Sequence, residues 1–247
     1  MKNIQNWLNS RGLLLLSSNT EDIKHLGTAL RNMSLFLNRM LSTNGRLLQH
    51  IRYLIAHHVA DLHFRLDGFN NEDKQLILQQ VDLLTRCGLL VNTSHHNDSI
   101  HASILDNRTA HSFLTGRYLE LALAQSLAET LYQIRKLYFV DLKYEICCNA
   151  VVQSWDGSIH EYDALLWLRF QEKDMVYLLE AKSGAFTEDI VATRHQLLSL
   201  PAERYFIITT TQQSSEVRER LNGINIVPLT DLPRILCSNL LQAFAWK

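Results

Sequence analysis

The stretch Met175-Val-Tyr-Leu-Leu-Glu-Ala-Lys182 constrains the fold more than any other part of the chain. Successive side chains of a strand point to opposite faces, so Val176, Leu178, Glu180 and Lys182 share one face, with the two charges last. The apolar run predicts a buried strand, and ionised groups at the end of such a strand need a partner or a metal. A carboxylate and an amine therefore emerge side by side where the core ends.

A chain of 247 residues can bury a sizeable core, and at roughly 100 to 200 residues per domain it makes one large or two small domains. Two are expected here, residues 1–110 and 111–247. With 47% hydrophobic and 20% charged residues, the composition is that of an ordinary globular protein. The formal net charge of -1 supplies no overall drive toward phosphate backbones, so any contact with nucleic acid must come from a local patch or a metal. Cys87, Cys147, Cys148 and Cys237 form no CxxC pair and read as buried free thiols in a reducing cytoplasm. The run Leu13-Leu-Leu-Leu16 is far short of the roughly 20 apolar residues a bilayer needs and reads as a short buried strand or helix start. No secretory leader pattern precedes it. A cytoplasmic protein without a membrane partner is expected.

The first block reads as helices followed by a hairpin. One helix carries Ile23, Leu26, Leu30, Met33, Leu37 and Met40 at 3/4 spacing, and a second runs through Leu47, Ile51, Leu54, Val59 and Leu62. A third spans about 72–86, stopped by Gly88. Strands at 89–93 and 99–105 flank a polar turn. Three helices and a hairpin resemble a winged helix, although Glu72 and Asp73 would bring two acids to the end of the third helix that faces DNA bases. A linker, dimerisation or effector-coupling role fits this module better than sequence reading.

From residue 111 the pattern becomes α/β. A helix over about 112–138 precedes strands at 142–148, 159–170 and 175–181, with turns at Asp156-Gly157 and at 171–174. A helix over 189–200, a strand at 205–211, a helix over 214–221 and a strand at 224–228 follow, with a short helical tail.

Three strings in this half carry acids: Thr115-Gly-Arg-Tyr-Leu-Glu120, His160-Glu-Tyr-Asp163 and Leu178-Leu-Glu-Ala-Lys182. Their order resembles the PD-(D/E)xK, or restriction-endonuclease-like, fold, in which a helix supplies a glutamate, a hairpin an aspartate and the next strand the (D/E)xK pair. The string ending at Glu120 is more closely similar to the nuclease domain of CRISPR-associated ancillary nucleases that carry a CARF sensor. The resemblance covers about residues 111–230, and the preceding 110 residues show no Rossmann-like CARF pattern.

The fold class so implied is α+β, a helical, winged-helix-like module followed by a central mixed sheet flanked by helices. The resemblance also implies a metal-dependent endonuclease cutting DNA or RNA, in prokaryotic defence. Asp163 and Glu180 would ligate Mg²⁺ or Mn²⁺ with the main-chain carbonyl of Ala181. Glu120 would lie behind them, ordering water or joining a second cation. Lys182 would hold the attacking water or stabilise developing charge, and Gln196 would lie near the substrate.

Hard oxygen donors suit these cations, and a phosphodiester anion needs charge neutralisation before water can attack it. Glu161 shares a strand face with Asp163 and is the competing acid; the family pattern favours Asp163. A homodimer is expected, with a defence-complex partner or an effector as further ligands. The competing function is a noncatalytic DNA-binding regulator or defence-complex subunit that uses the nuclease-like half for assembly.

Overall fold

The computed structural model describes residues 2–18, 46–96, 98–106, 108–138, 141–182, 190–210, 221 and 223–244. The expected helices over 23–40 and 214–221 lie outside the described residues, apart from residue 221. The chain opens with α1 (Lys2–Asn9), whose Ile4, Trp7 and Leu8 are buried at one-turn spacing, and β1 (Leu14–Ser17). Of the four leucines in the run 13–16, Leu13 is buried, while Leu14 and Leu16 are 48% and 45% exposed. The segment is therefore a strand, but not the buried one its composition predicts, because it adds to the margin of a sheet and covers one face only.

Two compact units make up the chain, Gly27–Leu119 as one and Met1–Leu26 together with Glu120–Lys247 as the other. The division expected after residue 110 falls at 119. Residues 1–26 group with the later unit because β1 pairs antiparallel with residues 151–153.

In the unit 27–119, α2 (Arg46–Ala56) buries Leu47, Leu48, Ile51 and Leu54. The expected extension of this helix to Leu62 is corrected. The chain leaves the helix at His57 and His58, the latter with φ 56°, and β2 (Asp61–Arg65) follows with Leu62 and Phe64 buried in alternation. Next comes α3 (Asn71–Arg86), capped by Asn70, whose Oδ1 accepts the Asp73 N–H at 2.8 Å. The hairpin β3 (Leu90–His96) and β4 (Ser99–Ile104) completes an antiparallel sheet in the order β2-β4-β3. The sheet thus has one strand more than the expected hairpin. A short α4 (Arg108–Ser112) and one π-helical turn (Phe113–Arg117) lead into α5 (Tyr118–Leu137).

The other unit is a six-stranded mixed sheet, order β1-β5-β6-β7-β8-β9. Its centre is a meander of β5 (Lys143–Gln153), β6 (Ile159–Phe170) and β7 (Lys173–Lys182). The second turn is Gln171-Glu172, both at positive φ, as a two-residue hairpin whose twist matches its strands requires. Parallel pairing then takes over. The step from β7 to β8 (Arg204–Thr209) runs through α6 (Ile190–Leu198), the helical crossover that parallel neighbours need.

β9 (Asn225–Pro228) pairs parallel to β8, and α7 (Leu232–Phe244) ends the described chain. One core cluster joins Ile4, Trp7 and Leu8 of α1 to Leu165, Trp167, Val176, Leu178 and Ile207 of the sheet and Leu197 of α6. Each fully buried leucine here contributes roughly 2 kcal/mol. The fold is of the mixed α+β class, as the sequence pattern predicts. Among the described residues no helix is long and apolar enough to cross a membrane.

Candidate functional site

The β6–β7 register sets the first two side chains. Ala164 lies opposite Leu179, so the next residues out, Asp163 and Glu180, come level at the end of the paired region. Residues opposite one another in an antiparallel pair project to the same face, which brings the two carboxylates together. Asp163 Oδ2 accepts the N–H of Ala181 at 2.6 Å, and Glu180 Oε1 accepts from Lys182 Nζ at 2.8 Å. Glu180 is only 6% exposed, and its Oε2 is buried without a hydrogen-bond partner among the described residues.

These surroundings shift the acids. Burial pushes the Asp163 carboxyl well above its ordinary range; the adjacent Glu180 and, more weakly, Glu120 push the same way against the Ala181 N–H and Lys182. Burial likewise raises Glu180, with Lys182 opposing it and Glu120 adding to it. The Cys148 thiol is driven up to about 12 by burial, by Cys147 and by the charges of Asp163 and Glu120. All three acids thus share one electrostatic neighbourhood.

Glu120 stands in the first turn of α5, and its Oε2 accepts from Asn149 Nδ2 of β5 at 2.9 Å. Asn149 adopts φ 48° within its strand. Sequence reasoning missed it; the signal was a polar residue of low strand propensity inside Ile146-Cys-Cys-Asn-Ala-Val-Val152. It also missed Thr209, which is fully buried and paired in register with Lys182 at the carboxyl end of β8.

Gln196 has another engagement. Its Nε2 donates to the main-chain carbonyl of Glu161, while its own carbonyl accepts from Tyr162 Oη at 3.3 Å and Ser199 Oγ at 2.7 Å. The side chain is therefore held on the β6 backbone beside Asp163. Glu161 itself is exposed, in contrast to the buried Glu180.

The donor set is carboxylate oxygen, the chemistry that hard divalent cations prefer. Among the described residues no three His, Cys, Asp or Glu side chains converge closely enough to form a ready metal cage. Asp163 and Glu180 would nevertheless fit a cation: the two carboxyls lie level on neighbouring strands, Glu180 Oε2 is buried without a partner among the described residues, and Lys182 engages only the other oxygen.

No protein-family model matches the sequence, and no curated protein does. Solved structures share the fold. Protein VC1899 from Vibrio cholerae superposes with a TM-score of 0.61 at 15% identity, over 98% of this chain and 61% of that one. Can2 from Sulfobacillus thermosulfidooxidans, solved in complex with cyclic tetra-adenylate, gives 0.60 at 17% identity, over 97% and 59%. The present chain spans about three fifths of the length of these two proteins, and at such identities the likeness is one of fold.

Proposed function

We propose that this chain is a divalent-metal-dependent phosphodiesterase of the PD-(D/E)xK class, cutting DNA or RNA. The observation that carries the reading is the Oε2 of Glu180, buried beside Asp163 without a partner among the described residues; desolvation raises both acids, and the Glu180 charge raises Asp163 further. Mg²⁺ or Mn²⁺ would be held by Asp163, Glu180 and the Ala181 carbonyl, with Glu120 behind. When bound, the cation supplies charge neutralisation on the phosphate and activation of water.

The chain's own groups do the rest. Asp163, fixed through one oxygen by the Ala181 N–H, would offer the other to the cation. Lys182 offers its ammonium to the attacking water or to developing negative charge, and Gln196, anchored to β6, borders the substrate path.

The fold shared with Can2, a protein solved with cyclic tetra-adenylate, supports a place among CRISPR-associated effectors in prokaryotic defence; a cytoplasmic homodimer is part of the proposal and rests on the sequence reading alone. On this reading the winged-helix-like unit 27–119 sets dimerisation, substrate access or the response to an effector. The test is a divalent-metal screen against plasmid, single-stranded DNA and RNA. Cleavage that requires Mg²⁺ or Mn²⁺ and disappears in Glu180→Ala and Lys182→Ala is expected. Cleavage that survives both substitutions would sink the site assignment, and salt-sensitive duplex binding without cleavage would favour a noncatalytic regulator.

A further inference from the structure

Asn149 carries two independent peculiarities. Its backbone is left-handed, with φ 48°, in the middle of β5, and its side-chain amide donates to Glu120 Oε2 at 2.9 Å. The register places it between the pairs Cys148↔Ala164 and Ala150↔Tyr162, so it lies across from Asp163, which is itself level with Glu180. Asn149, Asp163 and Glu180 thus form one row across three strands.

The alternation of the strands slips at this row. Cys147 and Ala150, three residues apart, belong to the same core cluster, and so do Tyr162 and Leu165. Strict alternation would put the members of each pair on opposite faces. The left-handed residue is the local device for that slip, and glycine serves it best, asparagine next. Selection of asparagine over glycine is explained by the amide, which glycine lacks and which reaches the carboxylate on α5.

We propose that Asn149 is the positioning residue of the site: it ties the Glu120 carboxylate to the row that holds Asp163 and Glu180, and so sets the contribution of the third acid to cation binding. The proposal rests on the phosphodiesterase reading. It concerns how Glu120 is held, since Asn149 reaches that acid through its amide and touches no substrate.

Mn²⁺ titration of the full chain by calorimetry, with thermal melting alongside, tests it. Asn149→Gly keeps the backbone conformation and deletes the donor. Its Mn²⁺ affinity is expected to fall about tenfold, the usual loss for a group that orients a ligand, with a melting temperature no lower than that of the wild type. In a Glu120→Ala background the same substitution is expected to change affinity less than twofold.

Wild-type affinity in Asn149→Gly overturns the proposal, as does a full-sized glycine effect in the Glu120→Ala background. Absence of Mn²⁺ binding by the wild type overturns the phosphodiesterase reading and this proposal together. An unaffected Asn149→Gly in a protein that binds Mn²⁺ overturns the proposal alone.

Discussion

The β6–β7 hairpin carries an ion pair at each end, and the two are built differently. At the turn end Arg169 meets Asp174 through both oxygens, at 2.5 and 2.6 Å, with side chains 39% and 36% exposed. At the other end Lys182 meets one oxygen of Glu180, and the remaining oxygen is buried without a partner among the described residues. The first pair is closed and solvated, while the second is open on its buried side and has another acid, Asp163, against it. Completeness in water marks a pair that decorates a surface. Incompleteness in the core is what the proposed cation would relieve.

The largest test of that contrast is Glu180→Gln, which keeps the shape and removes the charge. Metal-dependent cleavage should fall by roughly 10²–10³-fold or more, the scale of losing a group that stabilises transition-state charge, while the metal-free protein melts no earlier than the wild type. A protein that loses stability but keeps cleaving would make the two pairs alike after all.

Lys182→Met should destabilise the metal-free fold by about 1–3 kcal/mol at pH 8, since it leaves a buried carboxylate without its ammonium. Urea unfolding over a pH series should show that deficit shrinking as pH falls through the raised range of Glu180.

A smaller effect is the pH profile of the metal-free wild type. Asp163 and Glu180 titrate above their unfolded values, so the folded state binds more protons, and stability falls as pH rises from the ordinary carboxylate range through the raised values. Asp163→Asn should flatten this slope. Glu145 has the opposite sign. Burial pushes its carboxyl up, but the N–H groups of Ile4 and Asn3 outweigh it and hold it below the usual range. Its contribution is present above the unfolded value and lost as pH falls through the folded one, a limb that Glu145→Gln should remove. The smallest change belongs to the exposed pair: Arg169→Ala should barely move the urea midpoint, and that small effect should fade with added salt.

β7 was readable because its information is local, an apolar run followed by charges at a strand's period. The end of α2 was not. Ile55, Val59 and Leu62 continue a helical spacing, yet Leu62 and Phe64 also satisfy a strand's alternation, and pairing with β4 decides between the two. Glu120, Asp163, Glu180 and Lys182 could be named from their strings, whereas the engagement of Gln196 by the Glu161 carbonyl is a distant contact without a sequence mark. Asn149 was visible only as an interruption, because its partner Glu120 stands 29 positions earlier in the chain.

The carboxylate of Glu145 holds Asn3 and Ile4 from 142 and 141 positions away, and the unit 27–119 lies within that span. During synthesis the first strand is made long before the strand it pairs with. The inserted unit can finish folding while α1 and β1 still lack a surface to join. Closing so long a loop places this docking among the slow, nonlocal steps of folding. Until it happens, β5 presents an unpaired flank on which another nascent chain could add a strand. Once β1 has docked, the margin of the sheet on that side is a strand of only four residues.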